Sequence, residues 1–124
     1  MAIAKFGEGI GLYQKNEALC AKDEDLMTKV AQLYTNRALS WHQLDNQADV
    51  IKDCSYVLKE IDAKNPKALF RRAHAYTAKE RHFEAAQDLE LLVKVEPSNK
   101  QAKQNLIEAK TKAQEQADAP QPKI

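Results

Sequence analysis

Glycine fills only three of the 124 positions, cysteine two and tryptophan one, and each scarcity removes a class of answer. So little glycine leaves no glycine-rich loop to cradle a phosphate group. Cys20 and Cys54 are too few and too isolated for a disulfide framework, and neither stands at metal-ligand spacing from a second Cys or His. Both read as reduced, packed thiols. No apolar run approaches the roughly 20 residues of a membrane-spanning helix, so no membrane insertion is expected. The opening Met1-Ala2-Ile3-Ala4-Lys5 lacks a secretory apolar core, which predicts a cytoplasmic setting. Charge of one sign is missing too: Lys and Arg number 19 against 18 Asp and Glu. A chain so balanced has no strong field for nucleic acid or an anionic membrane, and any recognition by charge must be local. His42, His74 and His82 share no metal geometry, and no nucleophile, base and oxyanion donor fall together. The expectation is a protein without metal or cofactor, and not an enzyme.

What is present is the vocabulary of helices. Ala, Leu, Lys, Glu and Gln dominate, and 30% of residues are charged, which predicts an all-α chain with room for one domain. The chain also repeats itself. A shift of 35 positions lays Arg37-Ala38 on Arg72-Ala73, Trp41 on Tyr76, Val50 on Ala85, Asp53 on Asp88 and Val57-Leu58 on Leu92-Val93. Small, aromatic and aliphatic residues at these spacings describe two helices packed face to face. Asp45-Asn46 and Lys79-Glu80-Arg81 break the apolar pattern inside each unit, while Asn65-Pro66 and Glu96-Pro97-Ser98 close it. Proline there suits the first turn of the next helix. Helices are expected near 6–19, 24–44, 48–61, 66–79, 83–95 and 98–116. The last carries Ala102, Leu106, Ala109 and Ala113 as a narrow apolar stripe among polar residues, the pattern of a capping helix. Arg37 with Asp53, and Arg72 with Asp88, occupy equivalent positions and read as structural ion pairs within each unit. Trp41, Tyr76, Tyr34, Phe70 and Phe83 sit at helix-packing spacings and read as core or groove wall, not as a stacking platform for bases.

The strings Leu33-Tyr34-Thr35-Asn36-Arg37-Ala38-Leu39, Asp53-Cys54, Asn65-Pro66-Lys67-Ala68-Leu69-Phe70-Arg71-Arg72-Ala73 and Val95-Glu96-Pro97 resemble the tetratricopeptide-repeat (TPR) family. More narrowly, they resemble the carboxylate-clamp TPR domains of chaperone adaptors, over about Phe6 to Leu106. The resemblance implies a TPR solenoid of antiparallel helix pairs: about two full repeats plus a partial N-terminal repeat, with a C-terminal capping helix. The implied segments are a B-type helix of a partial first repeat (1–22), two helix pairs (23–64 and 65–97), the cap (98–116) and a disordered tail (117–124). It further implies a groove that grips the acidic C-terminal Glu-Glu-Val-Asp of the ninety- and seventy-kilodalton heat-shock proteins. In that family a Lys and an Asn on the first A helix, an Asn on the second, and a Lys and an Arg on the third hold the terminal carboxylates. Asn36 matches the second helix, and Lys67 with Arg71 match the third. The first pair has no visible match. Phe6 to Tyr13 aligns best with a B helix; the rival alignment makes Tyr13 the aromatic of the first A helix and puts Phe6 and Ile10 where Lys and Asn should stand. The chain then reads as part of a larger protein or assembly, or as a divergent repeat with another ligand.

Helix geometry singles out the same positions independently of the resemblance. Gln32, Asn36, Leu39 and Gln43 share one face, and Lys67, Arg71, His74 and Ala78 repeat that spacing. Stacked hairpins set the two faces side by side on the concave surface, with Phe70 also expected along it. A terminal aspartate presents two carboxylates, which suit a guanidinium fork, an ammonium and an amide donor. The competing reading is a structural scaffold that assembles with another protein or itself, because an incomplete first repeat leaves an end to be covered.

Overall fold

The computed structural model describes residues 2–20 and 22–119, apart from the side chains of Ala2 and Cys20. Every regular element among them is helical. In chain order these are α1 (Ala2–Lys15), a short α2 (Glu17–Cys20), α3 (Glu24–Gln43), α4 (Gln47–Tyr56) continued by a π-helical turn (Val57–Ile61), α5 (Pro66–Ala78), α6 (His82–Val95) and α7 (Lys100–Asp118). Helices α3 and α4 form one antiparallel pair and α5 and α6 the next. α1 packs on α3 at one end, and α7 packs on α6 at the other.

Short polar side chains set where the helices start. Asp23, Asn46, Asn65 and Asn99 are N-caps, each accepting a hydrogen bond from the backbone N–H three residues on, at 2.9 to 3.4 Å. Pro66 occupies the first turn of α5, where its missing N–H costs nothing. The turns between paired helices are also repeated: Asp45 (φ 56°) and Glu80 (φ 59°), 35 positions apart, both take the left-handed conformation. Neither is a glycine, the residue that adopts this conformation without steric cost.

Three expected boundaries move. The helix expected over 6–19 begins at Ala2 and stops at Lys15, because the Asn16 side chain donates to the Leu12 carbonyl at 3.0 Å and a separate turn follows. The capping helix runs over Lys100–Asp118 instead of 98–116, since Asn99 supplies the cap and Pro97-Ser98 stay in the preceding turn. The tail expected over 117–124 therefore loses Ala117 and Asp118 to α7; residues 120–124 lie outside the described part, as does the Cys20 thiol. The π-helical turn was not expected; there the Asp62 N–H bonds the Val57 carbonyl, five residues back, at 2.8 Å.

The core runs the length of the stack. Ala38, Cys54, Val57, Ala68, Leu92 and Ala102 are wholly buried, and the small ones among them let helices approach closely. Burial pushes the Cys54 thiol up to about 12, which leaves it protonated and inert. Two partly buried ion pairs fasten the repeats. Arg37 holds Asp53 through two hydrogen bonds of 2.7 and 2.6 Å, and Arg72 holds Asp88 through two of 2.8 and 2.6 Å. Each is a planar fork joining the two helices of one pair. At the N-terminal end Tyr34 stacks on Tyr56 with ring centroids 4.5 Å apart, while the hydroxyls of Tyr13 and Tyr56 lie 2.8 Å apart. That cluster ties α1 to both helices of the first pair.

Candidate peptide-binding groove

Because α5 follows α3 in the stack with α4 behind them, one face of each is left on a shared groove of about 480 Å³. From α3 it takes Leu39 and His42; from α5 it takes Lys67, Phe70, Arg71 and His74. Five of the nine residues singled out from sequence thus come together, Leu39, Lys67, Phe70, Arg71 and His74, while Ala78 does not line the cavity. Gln32, Asn36 and Gln43 do not line this cavity. Asn36 is half-buried one turn before Leu39, outside the cavity but next in the chain to Thr35.

Arg71 is the electrostatic centre of the groove. One of its terminal nitrogens donates to the Thr35 carbonyl on α3, which aims the guanidinium across the gap between helices. No carboxylate pairs with it among the described residues. Burial lowers its affinity for a proton from the ordinary arginine value, the signature of a cation held away from water without a counter-charge. It nevertheless stays ionised. Lys67, one turn earlier, is exposed and brings a second positive charge to the same wall.

Further along, the rings of His42 and His74 lie 4.9 Å apart. Loss of solvent at the groove wall, and then the neighbouring His42, hold His74 below the ordinary histidine value. Helix geometry had assigned His42 no part. Val50 and Pro66 complete the apolar wall, the α6–α7 connection adds Glu96 and Asn99, and the first turn of α7 adds Gln101. Glu96 accepts from the Asn99 amide at 3.1 Å and is the one carboxylate lining the cavity among the described residues. These three were missed because only the return of the chain after α6 brings them there; the 35-residue shift carries no signal for it. Chemically, the groove can hold an anion at its Lys67–Arg71 wall and an aliphatic group against Leu39, Val50 and Phe70. Among the described residues no group of three or more His, Cys, Asp or Glu is placed to hold a metal. No helix among them is long and apolar enough to cross a membrane.

No protein-family model matches the chain. Sperm-associated antigen 1 of Mus musculus is 40% identical over 75 residues, covering 60% of this chain and 8% of that protein. The DnaJ homolog subfamily C member 7 homolog of Dictyostelium discoideum is 34% identical over 88 residues, covering 71% of this chain and 16% of that protein. The chain thus spans less than a fifth of these relatives. Solved structures match over nearly their whole length. The first TPR domain of human RPAP3 superposes with a TM-score of 0.67 at 25% identity, covering 97% of this chain and 98% of that one. The first TPR of Spaghetti (RPAP3) bound to the HSP90 peptide SRMEEVD gives 0.63 at 26% identity, covering 94% of each. The second TPR domain of human RPAP3 in complex with the HSP70 peptide SGPTIEEVD gives 0.59 at 28% identity, covering 89% of this chain and 96% of that one. With its 35-residue repeat, paired helices and these neighbours, the chain is a tetratricopeptide-repeat domain.

Proposed function

We propose that this domain is a co-chaperone adaptor that binds the acidic C-terminal Glu-Glu-Val-Asp peptide of heat-shock protein 90, 70 or both. The observation that carries this reading is Arg71, a half-buried guanidinium that opens on the groove beside Lys67 and has no carboxylate partner among the described residues. A peptide carboxylate would supply the missing counter-charge, with the Asn36 amide one helix away as a third donor. Each charge-assisted hydrogen bond contributes about 1.5–3 kcal/mol net, so two or three of them give roughly micromolar affinity after the costs of association. That is the strength of a transient adaptor in the cytoplasm. The two peptide-bound structural neighbours support the ligand class. In this reading 23–64 and 65–97 are complete repeats, 1–22 supplies the second helix of a preceding one, and the clamp is partial, formed by Asn36, Lys67 and Arg71.

One observation favours a second reading, a scaffold that assembles through its N-terminal end: Leu12 and Leu19 there are 65% and 76% exposed. Apolar surface at a solenoid's end invites a covering partner. The two readings separate in one experiment, fluorescence anisotropy of a labelled Met-Glu-Glu-Val-Asp peptide with a free or an amidated C-terminus. The adaptor reading expects saturable binding that requires the free carboxylate and weakens at least about tenfold in Lys67→Ala/Arg71→Ala, the loss of one charged hydrogen bond or more. Equal binding by the folded double variant sinks it.

A further inference from the structure

His42 and His74 belong to different helix pairs, and the fold brings their rings to 4.9 Å between centroids at a tilt of 41°. The helices that carry them, α3 and α5, are tied together by the Arg71 guanidinium on the Thr35 carbonyl. His74 is exposed and His42 half-buried, and both line the groove, so solvent and small ions reach them. Neither ring is in an ion pair among the described residues.

Their spacing is that of two ligands on one metal. An ion about 2.0–2.1 Å from one nitrogen of each ring, at a tetrahedral angle, places the ring centroids about 5 Å apart. The observed 4.9 Å meets that value without moving either helix. On α3 the His42 Nδ1 is already engaged, because the Gln47 amide stands against it with its oxygen at 3.4 Å and its nitrogen at 3.3 Å. When the oxygen accepts the Nδ1 proton, the lone pair sits on Nε2, the arrangement in which a histidine ligates a metal while an outer partner fixes its ring. Asp45 accepts from the Gln47 nitrogen at 3.1 Å, which favours that orientation of the amide. On α5 the His74 ring is braced edge to face by Phe70, 6.2 Å between centroids. Loss of solvent, and then His42, hold His74 below the ordinary histidine value, so its ring is neutral near pH 7, the form that binds a metal.

We infer that His42 and His74 form a two-histidine site for a divalent transition ion of the zinc, nickel or copper kind, bridging α3 and α5. Imidazole suits these ions, whereas Mg²⁺ and Ca²⁺ take oxygen ligands. No third His, Cys, Asp or Glu joins the pair among the described residues. Water therefore fills the remaining positions, and the ion exchanges, unlike one closed in by four protein ligands. Lys67, Arg71 and Lys112 nearby oppose a cation, and Glu96 and Glu108 assist it. The bound ion fastens one helix pair to the next, and it does so whether or not the groove holds a peptide.

The test titrates zinc chloride into the wild-type chain, read by calorimetry and by thermal unfolding. The expected result is one ion per chain and a saturable rise in the unfolding midpoint, larger with copper(II) and absent with magnesium at the same concentration. His42→Gln and His74→Gln are each expected to raise the zinc concentration for half-saturation at least about tenfold, and Gln47→Leu about tenfold through the orientation of the His42 ring. Because His42 is half-buried and its variant could fail to fold, His74→Gln, at an exposed position, carries the test by itself. Cobalt(II) absorption identifies the ligands: imidazole and water give no thiolate charge-transfer band, and the appearance of that band assigns the ion to a cysteine and overturns the inference. Unchanged half-saturation in the folded His74→Gln variant overturns it as well, as does the absence of any saturable shift in the wild type.

Discussion

Arg71 and Arg72 are neighbours in the chain and opposites in circumstance: Arg72 is forked onto Asp88 at 2.8 and 2.6 Å, whereas Arg71 points across the groove to a backbone carbonyl and no carboxylate. A helix turns about 100° per residue, so adjacent side chains serve different surfaces. One arginine closes the repeat from within, and the other is left for something that arrives from outside.

Asp88→Ala is expected to destabilise the domain by about 3–5 kcal/mol, because it strands a partly buried guanidinium. The paired replacement Arg72→Met/Asp88→Leu is expected to cost much less, since both charges leave together. Urea denaturation of the two variants decides the matter; equal losses would mean that packing around Asp88, and not the stranded charge, is what the single substitution removes.

Glu80→Gly is expected to stabilise the fold by roughly 1 kcal/mol, relieving a left-handed backbone at a residue with a Cβ. Asp45→Gly is expected to gain less, because a short polar side chain already tolerates that region. Thermal unfolding of the two variants checks the order. A loss at position 80 would show that the Glu80 side chain contributes more than its backbone strain costs.

Acidification is expected to act with opposite signs on the free domain and on its complex. The His74 value is lowered in the folded chain, chiefly by loss of solvent and then by His42. Above about pH 6.5 the ring is neutral in both folded and unfolded chains and nothing is lost. As pH falls through the unfolded value, the unfolded chain takes up the proton first, so stability declines until the folded ring follows. A bound acidic peptide favours the protonated ring, although Lys67, Arg71 and Lys112 nearby oppose it and Glu96 and Glu108 assist. Peptide affinity should therefore rise between about pH 7.5 and pH 5.5, while peptide carboxylates remain ionised. Titrations across that range with wild type and His74→Gln would show it; identical slopes would rule the histidine out.

Much of the fold can be read from the chain because its signals are local and repeated. The 35-residue shift by itself lays Arg37 and Asp53 on Arg72 and Asp88, and Asn65-Pro66 marks the start of α5. The site is legible in part for the same reason: Lys67, Phe70, Arg71 and His74 share a helix face, and a face is a property of spacing. Glu96, Asn99 and Gln101 were invisible because no periodicity links the turn after α6 and the start of α7 to the opening turn of α5. The interruption at Asn16 was missed for a smaller reason, one side-chain amide competing for the Leu12 carbonyl inside an otherwise helical pattern.

The two forks, Arg37 on Asp53 and Arg72 on Asp88, make this domain its own replicate. The same bond geometry occurs twice in one molecule, at matched distances and each with a tyrosine ring beneath the guanidinium, Tyr34 at 5.6 Å from Arg37 and Tyr76 at 5.8 Å from Arg72, while only Arg72 also donates to a serine, Ser55 at 3.1 Å, among the described residues. Temperature, solvent and the rest of the chain are shared between the copies. Whatever difference emerges between Asp53→Ala and Asp88→Ala is thus a direct reading of neighbourhood, with the chemistry of the pair cancelled out.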